Sequence, residues 1–372
     1  MADWRVLHAE LVGGAILGEL PVTAASFGVA LNAAGRFQCT LPLEADPARL
    51  RLPVYAGGST DLDGDVDLVT MANLTPGTTA VWFERDGVLL FGGIVWAISA
   101  DIDENTLTVA GEGPQSFLRR RYIRSTLTYT AQDQLDIVRA LIDHAQAVTN
   151  GTIGITYSTL DSGVTRDRTY NAWERKNVGE AIEQLAAVDG GFDWRYDHNW
   201  VGGVPTWSMQ FTYPATGRST EHVFELGTNS RINNYEEDGS TIANLVDTFG
   251  SGTGSTMLVA TVANTPLQGP YPILEDVQTF GDVSSLTTLE LHGRRRLARG
   301  AGPTRRVQLT TFPNVEPVLG SYICGDRVRV RADHGWAQLD EIMRIVEIGV
   351  SVVGGAETVS LALANAEVFE TI

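Results

Sequence analysis

In the pattern of apolar and polar positions, residues 1–118 form a succession of short strands. Apolar runs at 4–11, 27–31, 37–43 and 51–55 are separated by Gly, Pro, Asn or Asp, the punctuation of turns. The sharpest signal lies at 79–91, where Thr79-Ala80-Val81-Trp82-Phe83-Glu84-Arg85 runs into Asp86-Gly87 and leaves as Val88-Leu89-Leu90-Phe91. A two-residue type I′ turn needs positive φ at both central positions, which Asp-Gly tolerates, so a hairpin is predicted. Gly92-Gly93 then predicts a bulge or a close approach of backbone. Segment 94–100, the acidic turn Asp101-Ile102-Asp103-Glu104-Asn105 and segment 106–110 complete a three-stranded meander. Trp82, Phe83, Leu89 and Phe91 leave these strands apolar on both sides, whereas a solitary soluble barrel keeps one polar face. Part of the second face is therefore expected to meet a neighbouring copy or a partner protein.

The period changes in the middle of the chain. Thr130-Ala131-Gln132-Asp133 has the shape of an N-cap with an acidic N3 residue, and Leu135, Val138, Leu141, Ile142, Ala145 and Val148 follow at helical spacing. A second helix is predicted from Asn177, with Glu180 as its N3 partner and Val178, Ala181, Ile182, Leu185 and Ala186 as its stripe, stopping at Gly190-Gly191. Strands at 191–196 and 207–213 make this a small α/β unit. A third helix over 286–298 follows Ser284 and Ser285, with Arg294, Arg295, Arg296 and Arg299 at its end to complement the helix dipole.

The end of the chain resembles its beginning. Asp326-Arg327-Val328-Arg329-Val330-Arg331-Ala332 alternates strictly, turns at Asp333-His334-Gly335, continues through Trp336, Ile342, Met343 and Val346, and turns again at Gly354-Gly355 before 357–363. Placing Gly335 on Gly87, an offset of 248 residues, puts Ile342-Met343 on Ile94-Val95 and Val346 on Ile98. The last strand needs four further residues, assigned to the second turn. Two turns and three strands in one order predict two copies of one β-barrel. The expected fold is mainly β with α+β parts: a first β-barrel over 1–118, an α/β domain over 119–218, a second barrel from 219–262 and 305–372, and a helical insertion over 263–304.

Length and charge narrow the function. A chain of 372 residues exceeds one growing core. Its formal charge of −18, with 45 acids against 27 bases and Lys176 as the single lysine, weighs against holding nucleic acid, which needs many cations on phosphates. Cys39 and Cys324 are expected to be buried free thiols. The start lacks a signal peptide's basic and apolar regions, and no run approaches the ~20 apolar residues that span a bilayer, so assembly in a cytoplasm is expected.

Each candidate for chemistry has a plainer reading beside it. His8, His144, His198, His222, His292 and His334 show no metal-ligand spacing. Asp61-Leu62-Asp63-Gly64-Asp65-Val66-Asp67 fails as an EF-hand, with Val66 where Gly is required and Ala72 where a bidentate Glu belongs. Gly250-Ser251-Gly252-Thr253-Gly254-Ser255 lacks the Lys-Ser/Thr ending of a phosphate loop. Trp194, Trp200 and Trp207, with Tyr196 and Tyr213, either stack on sugars or pack a core. Arg119-Arg120-Arg121 either meets nucleic acid or, as suits an acidic protein better, is a solvated boundary segment or an inter-subunit salt-bridge row. No catalytic, cofactor-binding or metal-ligating residue and no cofactor is assigned.

Trp82-Phe83-Glu84-Arg85-Asp86-Gly87 through Phe91-Gly92-Gly93-Ile94 to Gly111-Glu112-Gly113, followed by Leu118-Arg119-Arg120-Arg121, resembles the end of the first barrel in the hub proteins of phage tails. Asp238-Gly239-Ser240-Thr241-Ile242-Ala243-Asn244-Leu245-Val246 before Gly250 is similar to the opening of that family's second barrel, and Pro272-Ile273-Leu274-Glu275 with the third helix to its insertion. The resemblance implies two tail-tube-like barrels per chain and a homotrimer whose barrels adapt a sixfold tube to a threefold tip. It implies a structural role in the virion, at the tail tip, beside the distal tail protein, the tape measure protein and other tail-tip proteins. DNA would pass an acidic channel without specific binding during genome ejection. The competing reading is a tail-associated carbohydrate-binding or cell-wall polysaccharide-degrading protein.

Overall fold

The computed structural model describes residues 2–43, 74–188, 190–215, 217–281 and 283–365. The strand expected at 51–55 and the acidic run at 61–67 lie outside them. The chain divides into two compact units, one of Met1–Tyr213 with Val318–Cys324 and Glu347–Ser360, the other of Pro214–Pro317 with Gly325–Val346 and Leu361–Ile372.

The first unit opens with β1 (Trp4–Glu10), β2 (Ile16–Glu19), β3 (Ala24–Ala30), β4 (Arg36–Pro42), β5 (Thr79–Arg85), β6 (Val88–Asp101) and β7 (Thr106–Glu112). They neighbour one another in the order β3-β4-β7-β6-β5-β1-β2, every pair antiparallel. The Asp86-Gly87 hairpin is as predicted, with φ of 51° and 82°. Leu90 is the extra residue of a bulge, because Phe83 faces Phe91 while Glu84 faces Leu89. The glycine pair serves close approach. A Cβ on Gly92 would lie 2.3 Å from the Trp82 ring, and one on Gly93 would lie 2.6 Å from Phe37.

Then follow α1 (Gln115–Leu118), β8 (Leu127–Asp133), α2 (Gln134–Gln146), β9 (Ile155–Tyr157), β10 (Thr165–Tyr170), α3 (Val178–Ala187), β11 (Asp193–Val201) and β12 (Val204–Thr212). The cap of α2 is Asp133, not Thr130. Residues 127–133 pair with β10 as a strand, and the Asp133 carboxylate accepts from Leu135 N at 2.8 Å and Gly163 N at 2.7 Å. Helix α3 starts at Asn177 as predicted, with Asn177 Oδ1 accepting from Glu180 N at 3.1 Å, and ends at Ala187, ahead of the glycine pair. β11 and β12 form a hairpin around Gly202-Gly203, and β9 joins β12 in parallel.

The strands and helices of this unit share one core. Phe27, Phe37, Phe83 and Phe91 fill one side of β5 and β6, with Phe27 stacked on Phe91 at 5.4 Å. On the other side Leu7, Trp82, Leu89 and Ile94 pack with Leu135, Val138, Leu141, Ile182, Trp194 and Trp207. The Trp82 and Trp207 rings stack at 4.6 Å, and Trp207 Nε1 donates to the Gly92 carbonyl at 3.2 Å. The apolar second face of β5 and β6 is thus covered by the chain's own α/β part, which removes the expectation that it meets another protein. Buried Gln115 ties the same parts together, donating to Glu183 Oε1 at 2.8 Å and accepting from the Tyr196 hydroxyl at 3.0 Å.

The second unit contains β13 (Ser219–Glu225), β14 (Ser230–Asp238), β15 (Leu245–Phe249), β16 (Val259–Ala263), β17 (Glu275–Thr279), α4 (Leu286–Arg299), β18 (Thr304–Thr311), β19 (Arg327–His334) and the larger part of β20 (Ala337–Val353), with the end of β21 (Ala356–Asn365). Neighbours run β14-β18-β21-β20-β19-β13. Residues 347–353 of β20 belong to the first unit, where they pair with β3.

Five strands of each set share an order: β3-β4-β7-β6-β5 and β14-β18-β21-β20-β19. The sets diverge at the sixth strand, since β1 is antiparallel to β5 whereas β13 is parallel to β19. His334 pairs with Ala337, so the first turn of the later meander is Gly335-Trp336 and its offset is one residue larger than the glycine overlay. The second turn is shorter, not longer, than its counterpart: Gly354-Gly355, both at positive φ, replaces residues 102–105. The extra length sits in β20, with 17 residues against 14 in β6. Among the described residues neither order closes on itself by strand pairing.

β15 pairs antiparallel with β16 and parallel with β17, so residues 245–263, expected in the second barrel, share a sheet with the expected insertion. Helix α4 covers that sheet through Leu297 against Ala243, Val246 and Val262. Ser285 caps it, accepting from Thr288 N at 3.4 Å, and Arg296 pairs with Asp276 at 2.5 Å.

Candidate functional site

The candidates for chemistry are occupied by structure. His198 sits between Trp82 and Phe91, at ring distances of 6.1 and 5.4 Å, and burial holds its pKa down to about 3. An imidazole that stays neutral in an apolar pocket is a packing residue. Burial and then Arg121 also lower His144, whose Nε2 accepts from Arg124 N at 3.4 Å. His8 is buried in β1 with Nδ1 3.0 Å from the Gly18 carbonyl, and His292 stacks on Phe280 at 4.2 Å. Among the described residues no three His, Cys, Asp or Glu gather to hold a metal. Cys39 and Cys324 are buried free thiols, and burial pushes Cys39 up to about 12.

The aromatic set proposed for sugars is core. Trp194, Tyr196 and Trp207 are buried, while Trp200 and Tyr213 lie partly buried against the same cluster. Burial pushes the Tyr196 hydroxyl far up, as expected of a phenol donating to Gln115. Residues 250–255 form a turn closed by Gly250 N to Leu258 O at 2.8 Å and Leu258 N to Ser251 O at 3.0 Å. Asp340, between Arg329 and Arg331, is held down to about 2, first by its hydrogen bonds from Arg329. These exposed pairs run along the outer face of β19.

The arginine row divides its work. Arg119 pairs with Glu183 at 2.8 Å, Arg120 lies 3.9 Å over the Trp96 ring, and Arg121 donates to the Ala145 carbonyl at 3.2 Å. Among the described residues only the first meets a carboxylate. Segment 121–126 runs beside 172–178 through Ile123 N to Lys176 O, Val178 N to Arg121 O and Ala172 N to Thr126 Oγ1. This brings Arg124 to Arg175, whose Nη1 donates to the Arg124 carbonyl at 3.3 Å. Tyr122 and Trp173, on these two adjoining segments, are exposed at 47% and 78%. Sequence patterning missed Trp173 because a lone Trp between strand and helix carries no periodic signal. No helix among the described residues is long and apolar enough to cross a membrane.

No protein-family model matches the chain, and no curated protein matches it in sequence. Solved structures do match in fold, tail proteins among them. The 43 kDa tail protein of prophage MuSo2 from Shewanella oneidensis aligns with a TM-score of 0.66 at 14% identity, covering 98% of this chain and 99% of that one. The tail protein from Neisseria meningitidis aligns with a TM-score of 0.62 at 15% identity, over 99% and 98%. Prophage tail protein gp18 from Listeria monocytogenes gives 0.58 at 12% identity, over 97% and 94%. At such identities the likeness is one of fold.

Proposed function

We propose that the chain is a structural minor tail protein, a trimeric hub at the distal end of a phage tail tube. The observation that carries this reading is the fold shared end to end with prophage tail proteins. The five-strand order repeated within the chain supports it further. Two barrel-like halves in each of three copies would present six similar faces to a sixfold tube and three to the tip. The surplus of acids, 45 against 27 bases, would repel phosphates lining up in the channel, so DNA passes without binding. The neighbours would be the distal tail protein, the tape measure protein and other tail-tip proteins, assembled in the bacterial cytoplasm. The test is a count of this chain around the axis in images of the assembled tail. Three copies are expected; six or one would remove the hub.

The protein is proposed to have no enzymatic activity. The carbohydrate reading loses its best residues, since Trp194, Tyr196 and Trp207 are buried in the core. Purified peptidoglycan and cell-wall polysaccharide should stay intact with the protein; turnover abolished by changing a single Asp or Glu would reverse this.

A further inference from the structure

Arg120, Arg121, Arg124 and Arg175 show no ion pair with an acid among the described residues, in a protein of net charge −18. Arg120 meets the Trp96 ring, Arg121 the Ala145 carbonyl and Arg175 the Arg124 carbonyl, and Arg124 has no side-chain ion pair among the described residues. With acids in such excess, Arg124 and Arg175, adjacent and without an ion pair among the described residues, mark a surface that an external acid can complete. Two residues before Arg175, Trp173 is 78% exposed on a hydrogen-bonded turn. Glu174 holds that turn by accepting from Asn171 N and Nδ2 at 3.2 Å each, and Glu174 N donates back to the Asn171 carbonyl at 3.1 Å. Trp and Arg are among the residue types most enriched where binding energy concentrates at protein interfaces.

A complement exists in the same unit. The turn between β6 and β7 carries Asp101, Asp103 and Glu104 around Ile102, which is 75% exposed. Asp101 Oδ1 accepts from Glu104 N at 3.0 Å, and Asp103 and Glu104 are exposed. Beside Ile102 lies a recess lined by Ser99, Thr106 and Thr108. One surface is basic with an exposed aromatic; the other is acidic with an exposed aliphatic and a recess. They are different patches of one chain, the condition for head-to-tail contacts that close a ring.

We infer that the Trp173 surface, with Tyr122, Arg124 and Arg175, docks the acidic β6–β7 turn of a second copy of this chain. The inference rests on the reading of the protein as a ring-forming tail component. It is tested in assembled tails with the full chain carrying a photo-reactive benzophenone side chain at position 173. The expected product joins position 173 to residues 99–108 of another copy, identified by mass spectrometry of the linked peptides. Links only to a different protein, to DNA or to another segment, or no link, overturn it. In parallel, Arg124→Glu with Arg175→Glu should lower incorporation into tails about tenfold, as for charges opposed across an interface. Adding Asp103→Arg and Glu104→Arg to that chain should restore it, and failure to restore overturns the pairing. The copy count separates the two proposals: three copies without the link remove only this contact, and the link with another count removes only the hub.

Discussion

At Gly92 the absence of a side chain is what lets two tryptophans stack. Its missing Cβ would fall 2.3 Å from the Trp82 ring and 3.0 Å from Trp207 Nε1, so neither ring has room to yield without breaking the stack or the bond to the Gly92 carbonyl. Gly92→Ala is expected to destabilise by about 1–3 kcal/mol, the usual cost of overpacking; a thermal melt unchanged from the native protein would contradict this. The sequence marks Gly92-Gly93 as a close approach but not what approaches, because Trp207 lies more than a hundred residues away. His198 closes the same pocket. Its pKa of about 3 lies below the ordinary 6.5, so the unfolded chain takes up a proton as pH falls through 6.5 while the folded one does not. The stability tied to the neutral ring is full above pH 6.5 and is lost progressively toward pH 3. Denaturant midpoints at pH 7 and pH 4.5 should fall further apart in the native protein than in His198→Leu; equal gaps would show that His198 does not titrate as its burial requires.

Elements whose cause is local are legible, and those decided by a distant partner are not. Asp86-Gly87, the Asn177 cap and the Ser285 cap are contained within a few residues, and each forms as its sequence predicts. Helix α2 starts three residues late because residues 127–133 are held as a strand by β10, more than thirty residues on. Asp133 then serves both elements, accepting from Leu135 N in the helix and from Ser162 Oγ and Gly163 N in the loop before β10. Losing a cap costs about 1 kcal/mol, and a lost loop anchor adds to it. Asp133→Ala should therefore cost roughly 2 kcal/mol, more than a cap alone, and should raise amide exchange at Gly163 as well as at Leu135. Exchange raised only at Leu135 would show that the loop does not depend on the carboxylate.

For the molecule as a whole, the two-sided apolar strands read correctly as buried, but the cover was misassigned. Trp82, Leu89 and Ile94 are sealed by α2, α3 and the β11–β12 hairpin of the same chain, so they cannot supply a contact between copies. The shared strand order was legible because the hairpin turns at Asp86-Gly87 and Gly335-Trp336 are local, whereas the β20–β3 pairing, joining 347–353 to 24–30, leaves no trace in either segment alone. With the second face of β5 and β6 closed internally, the contact proposed between copies pairs charges around exposed Ile102 and Trp173. Contacts between exposed opposite charges weaken as salt shortens the Debye length, from about 10 Å at 0.1 M to about 3 Å at 1 M. Self-association should therefore fall several-fold across that range, while an apolar interface would be unchanged or tightened by salt. Sedimentation of the full chain, alone or seated on its tail partners, decides the point. Association that survives 1 M salt would place the copy–copy contact on apolar surface and away from Arg124, Arg175 and the acidic turn.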